Sequence, residues 1–543
     1  MVTIKNWEKY REELKEMQVE LPHFDVQKIK KSGKQHPVWL HFGGGNLYRG
    51  FHAEIAQRLA NKKELSAGVV VCETFDEEII EKAYKSYNND FLEVIMHENG
   101  KLEKKILAVT ADSLYCTPSN LLDYRRVIQY FRDPALQFVT FTITEKGYGL
   151  KNSKGNFLSN VEQDIMAGPT NPQHTMSIVA ALLYSRFEAG ELPIALVTTD
   201  NFSRNGQQFQ ESILTIAQEW LKLGHVSNSF INYLTNTKKV AFPWSMIDRI
   251  TPNPSKNVEA ELIATGISDM EIIHTDKCTN IAGFTNTETI HYLVIEDNFP
   301  NGRPKLEDAG VIMTDRGTVD KTDVMKVTTS LNPLHTALAI TGCLLNFHSI
   351  SEEIRDVDIV GLIKGIGYQE GLPVVENPGI IDPKTFIDEV INKRFSNSYI
   401  PDTPQRIARD TSQKVAIRYG ETIKKYVEKD GNAESLIFIP IAIAAWLRYL
   451  LATDDRGKEF EPSPDPLLTE LQEKLAVINL GEQNEVRIHQ AVREILANQT
   501  IFGLDLYQAG LGKKIEKIFR EMLVGPNAVR KTINKYVTKF GGK

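Results

Sequence analysis

The chain has 543 residues, of which 42% are hydrophobic and 24% charged, and this composition excludes a disordered or collagen-like protein because it supplies enough apolar side chains for a large core. Lys and Arg number 63 against 70 Asp and Glu, so the net charge of -7 argues against a general nucleic-acid binder. The four cysteines lie too far apart for a CxxC metal or redox site, and so few thiols favour a reducing cytoplasm.

The N-terminal segment, residues 1–35, is rich in charged side chains and has no apolar signal core. We expect it to be loosely helical and to lie on the surface. From residue 38 onward, short β-rich runs alternate with helical stretches, which predicts parallel βαβ units. The predicted strands cover residues 38–42, 69–72, 138–144, 195–198 and 292–295, and the helices among them include residues 52–62 and 175–187.

The second half of the chain differs, because long helical patterns dominate after a turn-rich stretch at residues 298–304. The most apolar run, residues 436–447, is too short to cross a bilayer, so no membrane partner is expected. The sequence predicts an α/β protein: a Rossmann-type dinucleotide-binding domain with a helical lead-in over residues 1–300, then a mostly α-helical substrate and catalytic domain over residues 301–543. The helical patterns cover residues 333–346, 383–393, 412–428 and 433–451.

Three glycines follow the first predicted strand directly and precede a helical segment that starts near Tyr48. Glycine at such a joint permits a tight turn and lets backbone N–H groups approach a pyrophosphate. Gly43 and Gly45 have the spacing of the dinucleotide fingerprint, although Tyr48 occupies the place of its third glycine. An ordinary strand-to-helix turn remains the alternative.

The next predicted strand leads into Glu73. An acidic residue at this place can accept hydrogen bonds from the adenosine ribose hydroxyls and repel the 2′-phosphate of NADP. Strand, glycine turn, helix, strand and acid together predict a site for NAD rather than NADP. A solvated strand end is the alternative for Glu73.

A second cluster of polar residues lies at the start of the helical pattern near residue 333. Pro333 suits the first helical position and Asn332 the N-cap, which puts His335 one turn into the helix and Lys326 before it. A dehydrogenase needs a group that exchanges a proton with the substrate hydroxyl while hydride moves to or from the nicotinamide, and a lysine can serve. From these residues alone, a surface lysine, a plain helix cap and a core histidine remain the alternatives.

Many short motifs between residues 38 and 470 resemble, in the same order, the long-chain polyol dehydrogenase family. One is a GxGxxxR turn from Gly43 to Arg49, which explains the missing third glycine, and another is the group of Lys326, Asn332 and His335. The others lie at residues 142–148, 200–201, 205–206, 242–243, 248–252, 294–297, 302–304, 394–397, 406–408, 412–414, 445–446 and 448–450.

The resemblance implies an NAD(P)-dependent oxidoreductase of sugars or polyols that uses no metal. It implies that Lys326 is the general acid and base, that Asn201 and Asn332 polarise the reacting oxygen, and that His335 binds a substrate hydroxyl. The other implied substrate contacts are Asp248, Asp323 (which would exchange protons with Lys326), Arg406 and Lys414, and the implied NAD contacts are Gly43, Gly44, Gly45, Arg49 and Glu73.

The spacing departs from the family pattern at one place, because five residues rather than four separate Lys326 from Asn332. On one ideal helix the extra residue would turn the lysine by about 100°. Thr328 and Thr329 therefore predict a break before the helix, where a bulge absorbs the residue. Lys321 is the alternative base.

The stretches HFGGGNLYRG and KVTTSLNPLHTALA are most similar to family members that act as fructuronate reductases, also called mannonate oxidoreductases. We therefore expect a cytoplasmic, NAD-dependent enzyme whose partner is a small hexuronate or polyol. Tagaturonate reductase, mannitol 2-dehydrogenase and other polyol dehydrogenases remain alternatives, because polyol members use the same cationic positions. A sugar- or nucleotide-sensing protein on the same scaffold is the non-enzymatic alternative, and the sequence does not determine an oligomeric state.

Overall fold

The computed structural model describes residues 1–541, which form two compact units, Met1–Asp320 and the part that begins at Lys321. The second unit starts inside the helix Arg316–Met325. A boundary between a cofactor domain and a substrate domain near residue 300 stays a prediction.

Six parallel strands form the central sheet of the first unit. They are β1 (Trp39–Phe42), β2 (Val69–Glu73), β3 (Thr110–Tyr115), β4 (Phe138–Phe141), β5 (Ile194–Thr198) and β6 (Val240–Ala241). Their order across the sheet is β3-β2-β1-β4-β5-β6, and every neighbouring pair is parallel. This is the order of a Rossmann fold, which leaves a crevice where the connections diverge, at the carboxyl ends of β1 and β4.

Most residues of these strands are buried on both faces of the sheet, because helices cover both. In β2, Val70 and Cys72 pack into one core and Val69 and Val71 into the other, as the two-residue period of a strand requires. The α-helices are Arg11–Glu16, Val26–Gln35, Ala53–Asn61, Glu77–Ile79, Leu121–Arg132, Ser159–Ala167, Thr175–Glu188, Asn205–Lys222, Asn228–Thr235 and Lys256–Ala264, with π-helical segments at Tyr48–His52 and Ile80–Tyr84 and 3₁₀ turns at Ile4–Tyr10, Lys85–Tyr87, Glu145–Tyr148 and Leu306–Ala309.

The first unit also contains smaller sheets, of which the sequence predicted only the strand at residues 292–295. A four-stranded sheet and a three-stranded sheet each combine strands that are far apart in the chain, and two further pairs are short. The strands are Phe284–Glu288, Phe91–Met96, Leu102–Leu107 and Val19–Glu20 in the first, Ser245–Asp248, Tyr292–Glu296 and Ile312–Thr314 in the second, and Val2–Thr3 with Ile267–Ser268 and Ile273–His274 with Asn280–Ile281 in the pairs.

The N-terminal segment is part of the first unit and not a surface addition to it. Ile4, Trp7 and Leu14 are buried, and the Trp7 indole donates a hydrogen bond of 2.9 Å to the Asp90 carboxylate. Such buried apolar residues are spread among many charged ones, so the charges dominate the sequence pattern although the packing depends on the buried side chains.

The second unit is helical, as predicted, and four π-helical segments adjoin its α-helices. The π-helical segments are Lys326–Ser330, Gly365–Gly371, Val390–Arg394 and Ala416–Gly420, and the short 3₁₀ turns are Leu372–Val374 and Thr411–Gln413. The α-helices are Arg316–Met325, Asn332–Leu345, Ile350–Glu353, Val357–Lys364, Pro383–Glu389, Pro404–Ile407, Glu421–Asp430, Phe438–Leu450, Leu468–Leu475, Glu485–Leu496, Gln499–Phe502, Gly512–Met522 and Ala528–Phe540. Within residues 1–541, no helix combines the length and the apolar character needed to cross a membrane.

Candidate functional site

The glycine turn lies at the carboxyl end of β1, where the order of the sheet reverses. Gly43 has φ +107°, and a Cβ atom there would stand 2.1 Å from the carbonyl oxygen of Thr142, so only glycine fits. A Cβ atom on Gly45 would meet no other atom within 4 Å. The turn thus packs tightly against the end of β4 on one side and leaves open space for a ligand on the other.

The side chain of Glu73 is buried and holds the end of β2 against the glycine turn. One carboxylate oxygen accepts a hydrogen bond of 2.8 Å from the backbone N–H of Gly44, and the other accepts from the N–H groups of Thr74 and Phe75. Burial raises the pKa of Glu73, while these backbone hydrogen bonds act in the opposite direction. The alternative of a solvated strand end is therefore wrong, and an acidic group does stand beside the turn.

Arg49 lies behind the turn rather than in its open space. Its guanidinium is fully buried, donates a hydrogen bond of 2.8 Å to the carbonyl oxygen of Ala282, and stands 4.8 Å from the centre of the Phe91 ring. It also faces the ring of Tyr84, whose hydroxyl donates to the carbonyl oxygen of Gly44. In the structure Arg49 supports the turn through Tyr84, and a direct contact with NAD stays a prediction.

Asn201 follows β5 and is exposed, and its neighbour Asp200 fixes this strand end. The Asp200 carboxylate accepts hydrogen bonds from the Thr144 N–H at 3.0 Å and from the Tyr148 hydroxyl at 2.8 Å, which ties the end of β5 to the segment after β4. Burial raises the pKa of Asp200. Asp248 is the buried last residue of the strand Ser245–Asp248. The substrate roles of Asn201 and Asp248 stay predictions.

Lys326 begins a π-helical segment that joins the helix Arg316–Met325 to the helix Asn332–Leu345. The Leu331 N–H donates to the carbonyl oxygen of Lys326, five residues earlier, at 3.1 Å. This is the hydrogen bond of a π-bulge, which accommodates one additional residue within a helix. The predicted bulge and the predicted break are both confirmed, because Leu331, with φ -127° and ψ -61°, belongs to neither helical segment. The helix N-cap is Leu331 rather than Asn332.

The two lysines considered as the base have opposite surroundings. Lys326 is 1% exposed, and its Nζ lies 3.6 Å from a carboxylate oxygen of Asp323, one helical turn earlier. The Lys321 side chain is 55% exposed and lies 3.9 Å from Glu376. The structure thus excludes the surface-lysine alternative for Lys326 and brings the predicted lysine and aspartate together.

His335 belongs to a chain of charged groups that includes one residue the sequence did not indicate, Asp402. The Nε2 atom of His335 lies 3.5 Å from one Asp402 oxygen, and Arg406 forms an ion pair with the other. Burial lowers the pKa of His335, although Asp402 acts to raise it. Burial would raise the pKa of Asp402, but His335 and Arg406 hold it below its ordinary value. The imidazole therefore favours the neutral form, which can both donate and accept a hydrogen bond.

Lys414 and Arg406, the two predicted cationic contacts, have different partners. The Nζ of Lys414 donates a hydrogen bond of 2.6 Å to the carbonyl oxygen of Arg409, and burial together with the charge of Arg418 lowers its pKa. Arg418, also not predicted, donates a hydrogen bond of 2.5 Å to the hydroxyl of Thr336. The spacing of four residues between Asp402 and Arg406, and between Lys414 and Arg418, was the available sequence signal for both missed residues.

The second unit thus combines a buried lysine–aspartate pair with a histidine and several cations. A lysine next to a carboxylate can exchange a proton with an alcohol or a carbonyl compound. In the described part of the chain, no group of three or more His, Cys, Asp or Glu side chains is arranged to hold a metal ion.

Comparison with known proteins gives consistent matches over nearly the whole chain. Residues 38–308 match the model of the mannitol dehydrogenase Rossmann domain, and residues 318–523 that of the mannitol dehydrogenase C-terminal domain. The D-mannonate oxidoreductase of Thermotoga maritima is 49% identical over 96% of this chain and 96% of its own length. The polyol:NADP oxidoreductase of Gluconobacter oxydans is 28% identical over 86% and 90% of the two chains. A substrate-free D-sorbitol dehydrogenase has the same fold, with a TM-score of 0.78 at 23% identity over 99% of this chain and 100% of that one.

Proposed function

Because the chain belongs to the mannitol dehydrogenase family, it is an oxidoreductase, and we propose that it reduces the ketone of D-fructuronate to D-mannonate with NADH and catalyses the reverse oxidation with NAD. The observation that carries the choice of substrate is the 49% identity to a D-mannonate oxidoreductase over 96% of both chains. The buried pair of Lys326 and Asp323 supports the proposed chemistry.

NAD is the proposed cofactor because the glycine turn has the properties that a dinucleotide requires. The open side of Gly45 gives the pyrophosphate room to approach the backbone, and the helical segment after the turn adds a favourable partial charge. Glu73 would accept hydrogen bonds from the ribose hydroxyls and disfavour a 2′-phosphate. When bound, the nicotinamide supplies or accepts the hydride. Equal kcat/KM values for NADH and NADPH would contradict this assignment, and Glu73→Ser should reduce the preference for NADH.

Lys326 is the proposed general acid and base. In the reduction its ammonium group donates a proton to the ketone oxygen as the hydride arrives, and in the oxidation its amine accepts the hydroxyl proton. Asp323, at 3.6 Å, takes part in returning the proton to the lysine. No metal is needed, because hydrogen-bond donors can stabilise the charge that develops on the oxygen.

The remaining roles concern the orientation of the substrate. Asn332 and Asn201 are proposed to donate amide hydrogen bonds to the reacting oxygen, and the neutral imidazole of His335 to contact a hydroxyl. The buried carboxylate of Asp248 is proposed to accept from another hydroxyl. Arg406 and Lys414 stay proposed substrate contacts.

A substrate panel tests the proposal directly. Purified protein is given D-fructuronate, D-tagaturonate or D-fructose, each with NADH and with NADPH, and the absorbance at 340 nm is followed. The expected result is the highest kcat/KM for D-fructuronate with NADH, and a D-mannonate-dependent signal in the reverse direction. Preference for tagaturonate would change the stereochemical assignment, preference for fructose would favour a polyol dehydrogenase, and no turnover of any compound would favour a sensor. Activity that chelation abolishes and zinc restores would contradict the metal-free mechanism.

A further inference from the structure

The guanidinium of Arg418 is a cation without a counter-ion. Its single hydrogen bond to the protein runs from Nη1 to the Thr336 hydroxyl, and within the part of the chain that the structure describes no carboxylate forms an ion pair with it. Burial is the main cause that lowers the pKa of Arg418, to about 10. An arginine has five N–H donors, and removing its charge from water without an anion is costly. The position therefore suits an anionic ligand.

Two other cations of this region already have partners. Arg406 is neutralised by Asp402, and Lys414 donates to a backbone carbonyl oxygen. Among the fully buried arginines, Arg249 pairs with two carboxylates and Arg186 donates to several carbonyl oxygens. Arg49 also lacks a carboxylate partner, but it lies against two aromatic rings and its unbonded nitrogen atoms are sealed from the surface, so no ligand can reach it. Arg418 has neither kind of partner, and none of its unbonded nitrogen atoms is sealed from the surface. A ligand can therefore reach its remaining donors.

Arg418 also stands next to the proposed catalytic groups. Thr336 follows His335 on the helix Asn332–Leu345, and its hydroxyl donates to the carbonyl oxygen of Asn332 at 3.0 Å. The charge of Arg418 acts on His335, since it helps to lower the pKa of the imidazole. The hydroxyl that holds Arg418 thus belongs to the same helical turn as the proposed substrate contacts Asn332 and His335.

The helix that bears Arg418 is fixed against the lysine segment. The Tyr419 hydroxyl donates to the carbonyl oxygen of Pro333 at 3.2 Å, and the Thr422 hydroxyl donates to that of Thr328 at 3.2 Å. Because both acceptors lie between Lys326 and the first turn of the next helix, the backbone around Arg418 keeps a defined position relative to the proposed acid and base.

We propose that Arg418 binds the carboxylate of the hexuronate substrate and that this contact gives the enzyme its preference for hexuronates over uncharged ketoses. The inference rests on the proposed function and adds the residue that determines specificity. A guanidinium can bind a carboxylate through two parallel hydrogen bonds, which gives both strength and direction. Thr336 fixes one edge of the guanidinium and leaves other donors for the substrate.

The test compares Arg418→Gln with Arg406→Gln, and the measured quantity is the ratio of kcat/KM for D-fructuronate to kcat/KM for D-fructose. Arg418→Gln should lower this ratio roughly 10- to 100-fold, the contribution of a hydrogen bond to a charged group, chiefly through a higher KM for fructuronate. Arg418→Lys, which keeps the charge but loses the planar pair of donors, should lower it less. Arg406→Gln should change the ratio less than Arg418→Gln, because Asp402 already neutralises that arginine.

The outcomes separate this inference from the proposed function. If the wild-type protein does not reduce fructuronate, the proposed function fails. If it does, but Arg418→Gln leaves the ratio unchanged or Arg406→Gln lowers it more, the inference about Arg418 is overturned. Should Arg418→Gln fail to fold, Thr336→Val decides the question: it removes the hydroxyl that orients the guanidinium, and it should lower the same ratio several-fold, whereas an unchanged ratio would again overturn the inference.

Discussion

The glycine turn of the first unit and the lysine cluster of the second are built from different parts of the chain. The turn is made mainly of backbone groups at the ends of parallel strands, and a close contact at Gly43 determines its shape. The lysine cluster is made of side chains, those of Lys326, Asp323, His335, Asp402, Arg406 and Arg418. Lys326 and Arg418 both lie on π-helical segments. Adding or removing a residue at a strand end would therefore displace the glycine turn. In the lysine cluster, by contrast, a π-bulge can accommodate an additional residue while the side chains before and after it keep their directions.

The largest effect is expected at the lysine. Lys326→Ala should lower kcat at least ~10²-fold, because proton transfer by a positioned group contributes at least that much, while the affinity for NADH stays nearly unchanged. The matched control is Lys321→Ala, because that lysine lies five residues earlier and is exposed. Steady-state kinetics and NADH titration measure both variants. A strong loss in the control with a mild loss in Lys326→Ala would show that the wrong lysine has been assigned.

The turn should respond to substitution according to the space around each glycine. Gly43→Ala should destabilise the fold by roughly 1–3 kcal/mol through its positive φ, with a further cost from the Thr142 carbonyl, and should weaken NADH binding. Gly45→Ala should leave the melting temperature close to that of the wild type and still weaken NADH binding, because its Cβ would enter the open space. Thermal unfolding measures the loss of stability, and NADH titration measures the loss of binding. An equal loss of stability in both variants would contradict the inference that only Gly43 is tightly packed.

A deletion tests the role of the π-bulge. Removing Val327 should convert Lys326–Ser330 to a regular helix and keep Lys326 facing as before, so kcat should stay within about tenfold of the wild type, a barrier change of about 1.4 kcal/mol. As a control, removing Ala337 from the regular helix Asn332–Leu345 should turn the residues on one side of the deletion by about 100° and prevent correct folding. Loss of all activity in a well-folded Val327 deletion would show that the bulge itself is required.

The last prediction concerns the pH dependence of stability and Glu370, on the π-helical segment Gly365–Gly371. Its carboxylate accepts hydrogen bonds from the backbone N–H groups of Phe438 and Ile439, and burial raises its pKa to about 7. Because the folded state holds this proton more tightly than the unfolded chain, with its pKa of ~4.3, the contribution to stability is present below that value and is lost as the pH rises towards 7. Across the two pKa values the loss should be about 4 kcal/mol, because each pKa unit corresponds to about 1.4 kcal/mol.

Urea unfolding at pH 5 and pH 8 measures this contribution. The wild-type midpoint should fall more between the two pH values than the midpoint of Glu370→Gln, which keeps an acceptor oxygen but cannot titrate. An identical pH dependence in the two proteins would show that Glu370 does not hold its proton at pH 5 in the folded state.

Secondary structure was predicted most accurately where the hydrophobic residues recur with a regular period. The apolar run of β2 and the pattern of the helix Thr175–Glu188 depend on local period, and both were placed within one or two residues. The strands Phe91–Met96 and Leu102–Leu107 were missed, although they form a long antiparallel pair. Leu102–Leu107 carries charged residues at its less buried positions. Without knowledge of the strand with which it pairs, this sequence resembles the exposed side of a helix.

From the sequence alone we could predict four of the six strands of the central sheet, the helical second half, the glycine turn, the acid at the end of β2 and the group of Lys326, Asn332 and His335. Each of these depends on residue type and short spacing. The packed structure was needed to show that Glu73 is buried against Gly44 and that Asp402 joins His335 to Arg406. It also showed that, within residues 1–541, Arg418 has a hydroxyl but no carboxylate as its partner. These findings concern contacts between residues that are mostly far apart in the chain, or the presence or absence of a counter-ion for a charged side chain. Burial and pairing are set by the whole packed unit, and no local pattern contains them.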